Sequence, residues 1–315
     1  MISVACEAMR SRFEIVLADA NRDAHDLRAA GEEALSEIRE TERLLSAYRR
    51  DSDLWAINQN AEKNAVVVDA RVLAFLQRAR ELSRQTSGAF DPTVGPLLRV
   101  WDVTGDAQSA SAPTKEEIED ARQRVGVEQV LELNADAQTA RLIVSGARLD
   151  PGAMGKGWGL EQAADVLRES GIRSALLHGG TSSVIAIGTP PDDERGWRVA
   201  LAAPDAPGNP LAHIYLRDNA LGVSAPGGKV IQRGGRTWGH VIDPRSGYPV
   251  RSARLAATVT PNAADADALS TALLVLGEPG IARLSAAFPQ AGFLLVLDVP
   301  GSKTPRLVAQ NMPLY

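Results

Sequence analysis

The 315-residue sequence is poor in cysteine and in aromatic residues. Cys6 is its single cysteine, and Phe, Trp and Tyr together make up 4% of the chain. One cysteine excludes an internal disulfide and a zinc site built from cysteines. No uncharged apolar run approaches the roughly 18 residues that a membrane-spanning helix needs, and the first residues do not resemble a signal peptide. We therefore expect a cytoplasmic protein without a transmembrane segment.

Neither sign of charge dominates the sequence. It has 34 Lys and Arg residues against 39 Asp and Glu residues, which gives a formal net charge of -5. This balance argues against a general nucleic-acid surface. The hydrophobic content of 44% is that of a soluble globular protein, and a chain of this length buries a full core. The sequence also lacks the dinucleotide fingerprint of a nicotinamide dehydrogenase.

The order of the predicted elements favours an α+β fold over a doubly wound α/β fold. Helices are predicted over residues 26–45 and 262–277, among others, whereas predicted strands dominate residues 174–224. This segregation is typical of mixed β-sheets with flanking helices. We assign residues 1–315 to one large domain, with a flexible surface loop at about residues 104–113, where the sequence is small and polar.

The stretch Arg236–Val250 combines turn-forming residues with functional side chains. Trp238–Ile242 has the pattern of a short strand, and the Asp-Pro step at Asp243 ends it. A histidine three residues before an aspartate, beside a rigid turn, can bring an imidazole close to a carboxylate. His240 and Asp243 are therefore candidates for acid–base catalysis. A packed histidine and a turn-forming aspartate explain the same pattern.

A glycine-rich stretch, Leu149–Gly159, precedes a predicted helix over residues 160–169. Glycines let the backbone approach a ligand, and the N-terminus of a helix favours anions. Lys156 adds a positive charge, but Gly157 follows it where a P-loop has Ser or Thr. The stretch is thus a candidate anion site, and an ordinary loop is the alternative.

Asp267 and Thr271 lie four residues apart in the predicted helix over residues 262–277, so they share one helix face. A carboxylate and a hydroxyl offer two hard oxygen ligands for Mg²⁺, with ligand phosphates completing the coordination. The alternative is that Asp267, between Ala266 and Ala268, only faces solvent.

Seven segments, taken together and in order, resemble the family of FAD:protein FMN transferases, the ApbE family. They are Met9–Phe13, Leu45–Asn58, Ser87–Gly95, Asp150–Gly157, His178–Gly180, His240–Pro249 and Ala266–Thr271. Each segment alone is weakly specific, whereas seven in the family's order are highly specific. The resemblance covers nearly the whole chain and implies the family's fold.

By this resemblance the protein is expected to bind FAD with Mg²⁺, to transfer FMN to a threonine hydroxyl of a client flavoprotein, and to release AMP. The resemblance implies that Asp267 and Thr271 hold the metal, with a backbone oxygen near Gly155. It also implies that His240 accepts the threonine proton, with Asp243 in support. The residues that it places around FAD are Met9, Tyr48, Asp150, Lys156, Gly179, Gly180 and Ser224. For Tyr48, a core position is the alternative.

The sequence departs from the family's pattern at two places on the substrate side. Thr181 stands where the family often has an acidic residue, and only Ser224 carries over in the segment Val223–Gly228. Many relatives are exported lipoproteins, whereas we expect this chain in the cytoplasm. Two other activities remain open from the sequence: an FAD pyrophosphatase that yields FMN and AMP, and a non-catalytic FAD-binding protein.

Overall fold

The computed structural model describes most of the chain. The described residues are 1–19, 22–103, 111–203, 206–228, 230–251, 253–299, 301–302 and 304–315. Residues 104–110 of the predicted surface loop lie outside them. Within the described ranges, no helix is both long and apolar enough to cross a membrane.

Helices and strands follow one another along the described chain. The helices are α1 (Ala24–Leu45), α2 (Asp53–Gln59), α3 (Ala70–Gln85), α4 (Gly95–Val100), α5 (Lys115–Arg122), α6 (Val127–Val130), α7 (Gly155–Glu169), α8 (Ala263–Leu276) and α9 (Glu278–Ala287). The strands are β1 (Ile2–Ala8), β2 (Ser11–Leu17), β3 (Val66–Val67), β4 (Leu131–Asn134), β5 (Thr139–Leu142), β6 (Ala175–Gly179), β7 (Ser183–Ile187), β8 (Trp197–Ala203), β9 (Ala206–Leu216), β10 (Ala220–Ser224), β11 (Val230–Arg233), β12 (Arg236–Gly239), β13 (Leu255–Thr260), β14 (Gly292–Leu297) and β15 (Arg306–Gln310).

One large sheet organises the fold. Its strand order is β1-β2-β6-β7-β10-β13-β14-β15, and every neighbouring pair is antiparallel. The strands β3-β5-β4, β8-β9 and β11-β12 form small antiparallel sheets. Antiparallel sheets with separate helices are the α+β arrangement, so the predicted fold class is confirmed.

The two faces of the large sheet pack against different layers. Along β2, Phe13, Ile15 and Leu17 pack with apolar residues of α1 and α7. The intervening Val16 points to the other face, in the cluster that includes Trp197 of β8. This alternation follows from the two-residue period of a strand, and it leaves one face of the sheet to the helices.

The helices α7 and α8 approach each other closely because glycine lacks a side chain. A Cβ atom on Gly157 would lie 2.1 Å from the carbonyl oxygen of Ala263. On the sheet side, a Cβ atom on Gly222 would lie 2.3 Å from the carbonyl of Ala266. Consequently the first turns of α7 and α8 and the middle of β10 meet at one place.

The predicted start of the helix after the glycine-rich stretch was wrong. That helix, α7, begins at Gly155, so Gly155, Gly157 and Gly159 lie inside it. Glycine has a low helix propensity, which favoured a loop in the sequence analysis. The close packing of α7 on α8 outweighs that propensity.

The strand predicted over residues 238–242 was also placed wrongly. It is β12, which ends at Gly239 and pairs with β11 in a hairpin, so His240 follows the strand. The hairpin turns at Gly234 and Gly235, whose φ angles of +56° and +68° suit a two-residue turn. Strand β15 lies in the predicted terminal tail and pairs with β14. Its sequence shows no clear periodicity that would predict a strand.

Candidate active site

Asp267 lies at the centre of the candidate site, in the second turn of α8. Its side chain is 7% exposed, so the solvent-facing alternative is wrong. Oδ2 accepts a hydrogen bond from the backbone N–H of Gly157 at 2.7 Å. Oδ1 accepts one from the hydroxyl of Ser183 at 2.7 Å. Elements α7, α8 and β7 therefore converge on one carboxylate.

The environment of Asp267 suits a bound cation. Burial raises the pKa of Asp267 to about 6, while the Lys156 ammonium and hydrogen bonds from Ser183 and Gly157 limit the increase. At neutral pH the side chain is mainly a poorly solvated carboxylate. Each oxygen accepts one of these bonds and keeps a further lone pair. A divalent cation at those lone pairs would offset the cost of burying the charge, so the donor set fits a metal.

A chain of polar contacts runs from Lys156 to Asp267. Lys156 is half-buried next to Gly155, the first residue of α7, and its Nζ donates a hydrogen bond to Ser182 Oγ. Ser182 Oγ lies 3.4 Å from the Oγ of Ser183, which bonds to Asp267. Neither serine was predicted as a site residue, because two serines after a Gly-Gly turn are ordinary turn composition.

Thr271 lies one turn after Asp267 on α8. Its Oγ1 is 3.0 Å from the Oγ of Ser224 at the end of β10, and that Oγ is 2.8 Å from the Oγ of Ser270. Ser224, predicted to contact FAD, therefore lies beside a predicted metal ligand. Together with Asp267, these hydroxyls supply the hard oxygen donors that Mg²⁺ prefers.

A second group of potential ligands lies on the surface. Asp23, His25 and Asp26 are all exposed, and their ligand atoms are close together. Asp23 caps α1 by accepting a hydrogen bond from the N–H of Asp26 at 2.8 Å. Acidic residues stabilise the first turn of a helix without any metal, so this group belongs to the helix cap.

The loop that leads into α7 is held by Asn58. Its Nδ2 donates to the carbonyl oxygen of Leu149 at 3.0 Å, and the N–H of Leu149 donates to its Oδ1 at 2.8 Å. The next residue, Asp150, accepts a hydrogen bond from the N–H of Gly152 at 2.8 Å, and burial raises the pKa of Asp150. Asn58 therefore has a structural role in positioning this loop.

Three of the predicted FAD-contacting residues lie at two adjacent turns of the large sheet. Met9, between β1 and β2, has a φ of +49°, and Gly180, after β6, has a φ of +62°. The N–H of Gly180 donates to the carbonyl oxygen of Arg12 at 2.8 Å. Because Gly179 pairs with Ser183 at the start of β7, these turns lie beside the serines that contact Lys156 and the central carboxylate.

Tyr48 lies after α1 and is 54% exposed, so the alternative of a core position is wrong. Its N–H donates to Ser46 Oγ at 3.3 Å. Nearby, Arg148 donates to the carbonyl oxygen of Ala47 at 3.0 Å. An exposed ring at a fixed loop suits a residue that covers a bound ligand.

His240 is half-buried directly after β12. The preceding Gly239 packs against Pro226, and a Cβ atom there would lie 2.7 Å from the Cβ of Pro226. The hairpin therefore lies against the turn that follows β10. In the next turn, Asp243 binds Arg245 through Oδ1 to Nε at 2.9 Å and Oδ2 to a terminal nitrogen at 3.0 Å. Support of His240 by Asp243 stays a prediction.

Trp101 contacts residues that come before and after His240 in the sequence. Its Nε1–H donates to the carbonyl oxygen of Gly247 at 2.8 Å, after His240. Its ring lies 4.9 Å from that of Trp238, before His240, and 6.1 Å from that of Tyr248. This role of Trp101 was not predicted, since the residue lies far from the segment along the chain.

Comparison with known proteins identifies relatives over most of the chain. A model of the ApbE family matches residues 9–294. The FAD:protein FMN transferase of Treponema pallidum is 30% identical in an alignment that covers 91% of this chain and 84% of that protein. The FAD:protein FMN transferase of Haemophilus influenzae is 26% identical in an alignment that covers 88% of this chain and 81% of that protein.

Solved structures extend the similarity to the fold. The ApbE protein from Thermotoga maritima matches with a TM-score of 0.85 at 25% identity, over 98% of this chain and 96% of that chain. The flavin transferase ApbE from Vibrio cholerae matches with a TM-score of 0.81 at 26% identity, over the same shares. Sequence and fold thus point to the same group of proteins.

Proposed function

This chain belongs to the ApbE family, and we propose that it is a Mg²⁺-dependent transferase that moves FMN from FAD to a threonine hydroxyl of a client flavoprotein. The relatives named FAD:protein FMN transferase support a transferase that acts on FAD. The structural observation that carries the proposal is the buried Asp267 carboxylate, which lies close to Lys156 and one helical turn before Thr271, whose hydroxyl contacts Ser224 at the end of β10.

Asp267 and Thr271 would hold the metal, with a backbone oxygen near Gly155. Bound there, Mg²⁺ would neutralise charge on the FAD phosphates. Ser183 and Gly157 orient the Asp267 carboxylate by hydrogen bonds to separate oxygens. Fixed orientation matters because phosphoryl transfer depends mainly on positioning and on charge stabilisation.

Besides the metal, the Lys156 side chain would supply a positive charge next to the FAD phosphates. It lies in the first turn of α7, where backbone N–H groups and the helix dipole also favour anions. The capping residue Met154 makes no side-chain hydrogen bond to this helix end. At the neighbouring end of β6, Gly179 and Gly180 have no side chains that could block a phosphate, and the turn continues through Thr181 and Ser182. The flavin would lie near Met9, Tyr48 and Asp150.

The transfer step replaces the phosphoanhydride bond of FAD with a phosphoester bond to the client. The threonine oxygen bonds to the phosphorus of the FMN half, the bond from that phosphorus to the bridging oxygen breaks, and AMP leaves. His240 would accept the threonine proton, because a general base must lie within reach of the hydroxyl that it activates. Its hairpin lies against the turn after β10, which supports this placement.

The proposal is tested by incubating the protein with FAD and MgCl₂, with and without a client that carries an acceptor threonine. We expect AMP release and covalent FMN on the client, both lost in Asp267→Ala. Asp265→Ala is the matched control, because Asp265 lies on the same helix but pairs with Arg78. Free FMN and AMP in both incubations, with no FMN attached to the client, would identify a pyrophosphatase. Intact FAD throughout would identify a binding protein.

A further inference from the structure

Lys156 and Asp267 carry opposite charges and lie close together in the site without forming an ion pair. Lys156 is near enough to Asp267 to lower the pKa of that carboxyl, yet the two residues form no direct ion pair in the described structure. Instead, Lys156 Nζ donates to Ser182 Oγ, and Asp267 Oδ1 accepts from Ser183 Oγ at 2.7 Å. Each charged residue thus has its own serine partner.

The two serines are held by the backbone, so their positions are fixed independently of the charges. Ser183 begins β7 and pairs with Gly179 of β6 and with Gly222 of β10. The carbonyl oxygen of Ser182 accepts a hydrogen bond from the N–H of Val223 at 2.7 Å. The sheet therefore presents two hydroxyls side by side, with one next to Lys156 and the other next to Asp267.

A direct Lys156–Asp267 ion pair would compete with the ligands of the site. A buried carboxylate bound by an ammonium has less affinity for a metal, and the same ammonium has less affinity for a phosphate. Attraction between the two charges is strong in a poorly solvated site. Some feature must therefore keep them apart when the site is without ligands.

We propose that Ser182 and Ser183 are positioning residues that prevent Lys156 and Asp267 from closing into a direct ion pair. Ser182 holds the ammonium towards the phosphate side, and Ser183 holds the carboxylate towards the metal side. This inference rests on the proposed function for the nature of the two ligands. Ser182 is the more informative residue, because its hydroxyl bonds directly to Lys156 and reaches Asp267 only through Ser183.

The test measures Mg²⁺ binding to the FAD-free protein by calorimetry at pH 8. Ser182→Ala should weaken Mg²⁺ binding about tenfold, the lower range for loss of a residue that orients a metal ligand, because Lys156 then moves onto Asp267. Ser182→Thr, which keeps a hydroxyl, should bind Mg²⁺ like the wild type. In the Lys156→Met background, Ser182→Ala should have no further effect.

Ser174→Ala is the matched control. Ser174 lies at the other end of the β6–β7 hairpin, where its hydroxyl donates to the carbonyl oxygen of Thr189 at 2.6 Å. Its loss removes a comparable hydrogen bond from the same hairpin but should leave Mg²⁺ binding unchanged. A loss of affinity in this control would attribute the effect of Ser182→Ala to a general loosening of the hairpin.

Unchanged Mg²⁺ binding in Ser182→Ala, or an equal loss with and without Lys156, would also overturn the inference. The same proteins are assayed for AMP release from FAD, so the inference and the proposed function can fail separately. Coupling between Ser182 and Lys156 in a protein that leaves FAD intact would contradict only the proposed transfer. A wild type that does not bind Mg²⁺ would contradict both.

Discussion

The backbone N–H of Gly157 donates a 2.7 Å hydrogen bond to Oδ2 of Asp267. It joins the first turn of α7 to the second turn of α8. A Cβ atom on Gly157 would lie only 2.1 Å from the carbonyl oxygen of Ala263. The absence of a side chain at this position is therefore needed both for helix packing and for the orientation of the carboxylate.

Gly157→Ala should separate α7 from α8 and weaken both folding and metal binding. The contact is with backbone, which cannot rotate away, so we expect a loss of about 1–3 kcal/mol in the free energy of unfolding. Urea unfolding measures it. Gly155→Ala is the matched control in the same helix, because its nearest contact would be 3.4 Å from Pro151. A Gly157→Ala protein as stable as the control would contradict the close packing.

The raised pKa of Asp267 predicts a pH-dependent cost to stability. The folded state holds this proton up to about pH 6, whereas the unfolded side chain loses it near 3.8. Between these values the folded state binds more protons, so the contribution of Asp267 to the free energy of unfolding falls as the pH rises. The full cost above the folded pKa is about 3 kcal/mol. Metal binding would offset it.

Asp267→Asn should therefore stabilise the metal-free protein while abolishing transfer. The asparagine can accept from the N–H of Gly157 through its oxygen and donate to Ser183 through its nitrogen. Its advantage over the wild type should be larger at pH 8 than at pH 5, by about 1 kcal/mol. Urea unfolding at the two pH values measures the difference. An advantage that does not change with pH would contradict a pKa near 6.

Mg²⁺ provides a second comparison of the same two proteins. At pH 8 the metal should raise the free energy of unfolding of the wild type and leave Asp267→Asn unchanged, because only the carboxylate binds it strongly. Thermal unfolding with and without MgCl₂ measures this effect. Equal stabilisation of both proteins would place the metal elsewhere, for example at the exposed group Asp23, His25 and Asp26.

His240→Gln should lower the rate of FMN transfer by a factor of about 100 to 10,000, the usual contribution of a general base. Mg²⁺ binding should not change. Asp243→Asn should have a smaller effect, because both oxygens of Asp243 bind Arg245. Single-turnover transfer to a client measures both, with the exposed His25→Gln as control. A larger loss in Asp243→Asn than in His240→Gln would reverse the assigned roles.

The sequence predicted those parts of the site that depend on local spacing. Asp267 and Thr271 could be placed on one helix face because a helix has a fixed period. It did not predict Ser183, whose hydroxyl meets Asp267 across 84 residues of sequence. That contact depends on the register of β7 with its neighbours and on how α8 packs on β10. Pairing and packing of this kind leave no local pattern.

In the fold, too, features with a local sequence pattern were predicted, and features that depend on packing were not. The helix over residues 262–277 and its end at Gly277 were predicted, and α8 covers Ala263–Leu276 with Gly277 as its C-cap. The start of α7 was not predicted, because glycine favours a loop unless a close helix contact outweighs its propensity. Strand β15 pairs with β14 at the sheet edge, and most of its side chains are exposed. A strand without a buried face has no hydrophobic alternation to predict it.

Trp101→Phe tests whether the His240 segment is held in place from the core. The change keeps a ring against Trp238 and Tyr248 but removes the Nε1–H that donates to the buried carbonyl of Gly247. An unsatisfied buried carbonyl costs about 1–3 kcal/mol, so the free energy of unfolding should fall by that amount. The rate of FMN transfer should also fall, because the turn after His240 loses an anchor, while Mg²⁺ binding should stay unchanged.

Trp197→Phe separates a specific effect on His240 from a general loss of stability. Trp197 is also buried, and its Nε1–H also donates to a backbone carbonyl, that of Ile187 at 3.3 Å. It packs on the opposite side of the large sheet from the helix layer, so this variant should lose stability but transfer FMN at the wild-type rate below its melting temperature. Equal losses of transfer rate in the two variants would show that Trp101 acts only through stability, and His240 would then not depend on this anchor.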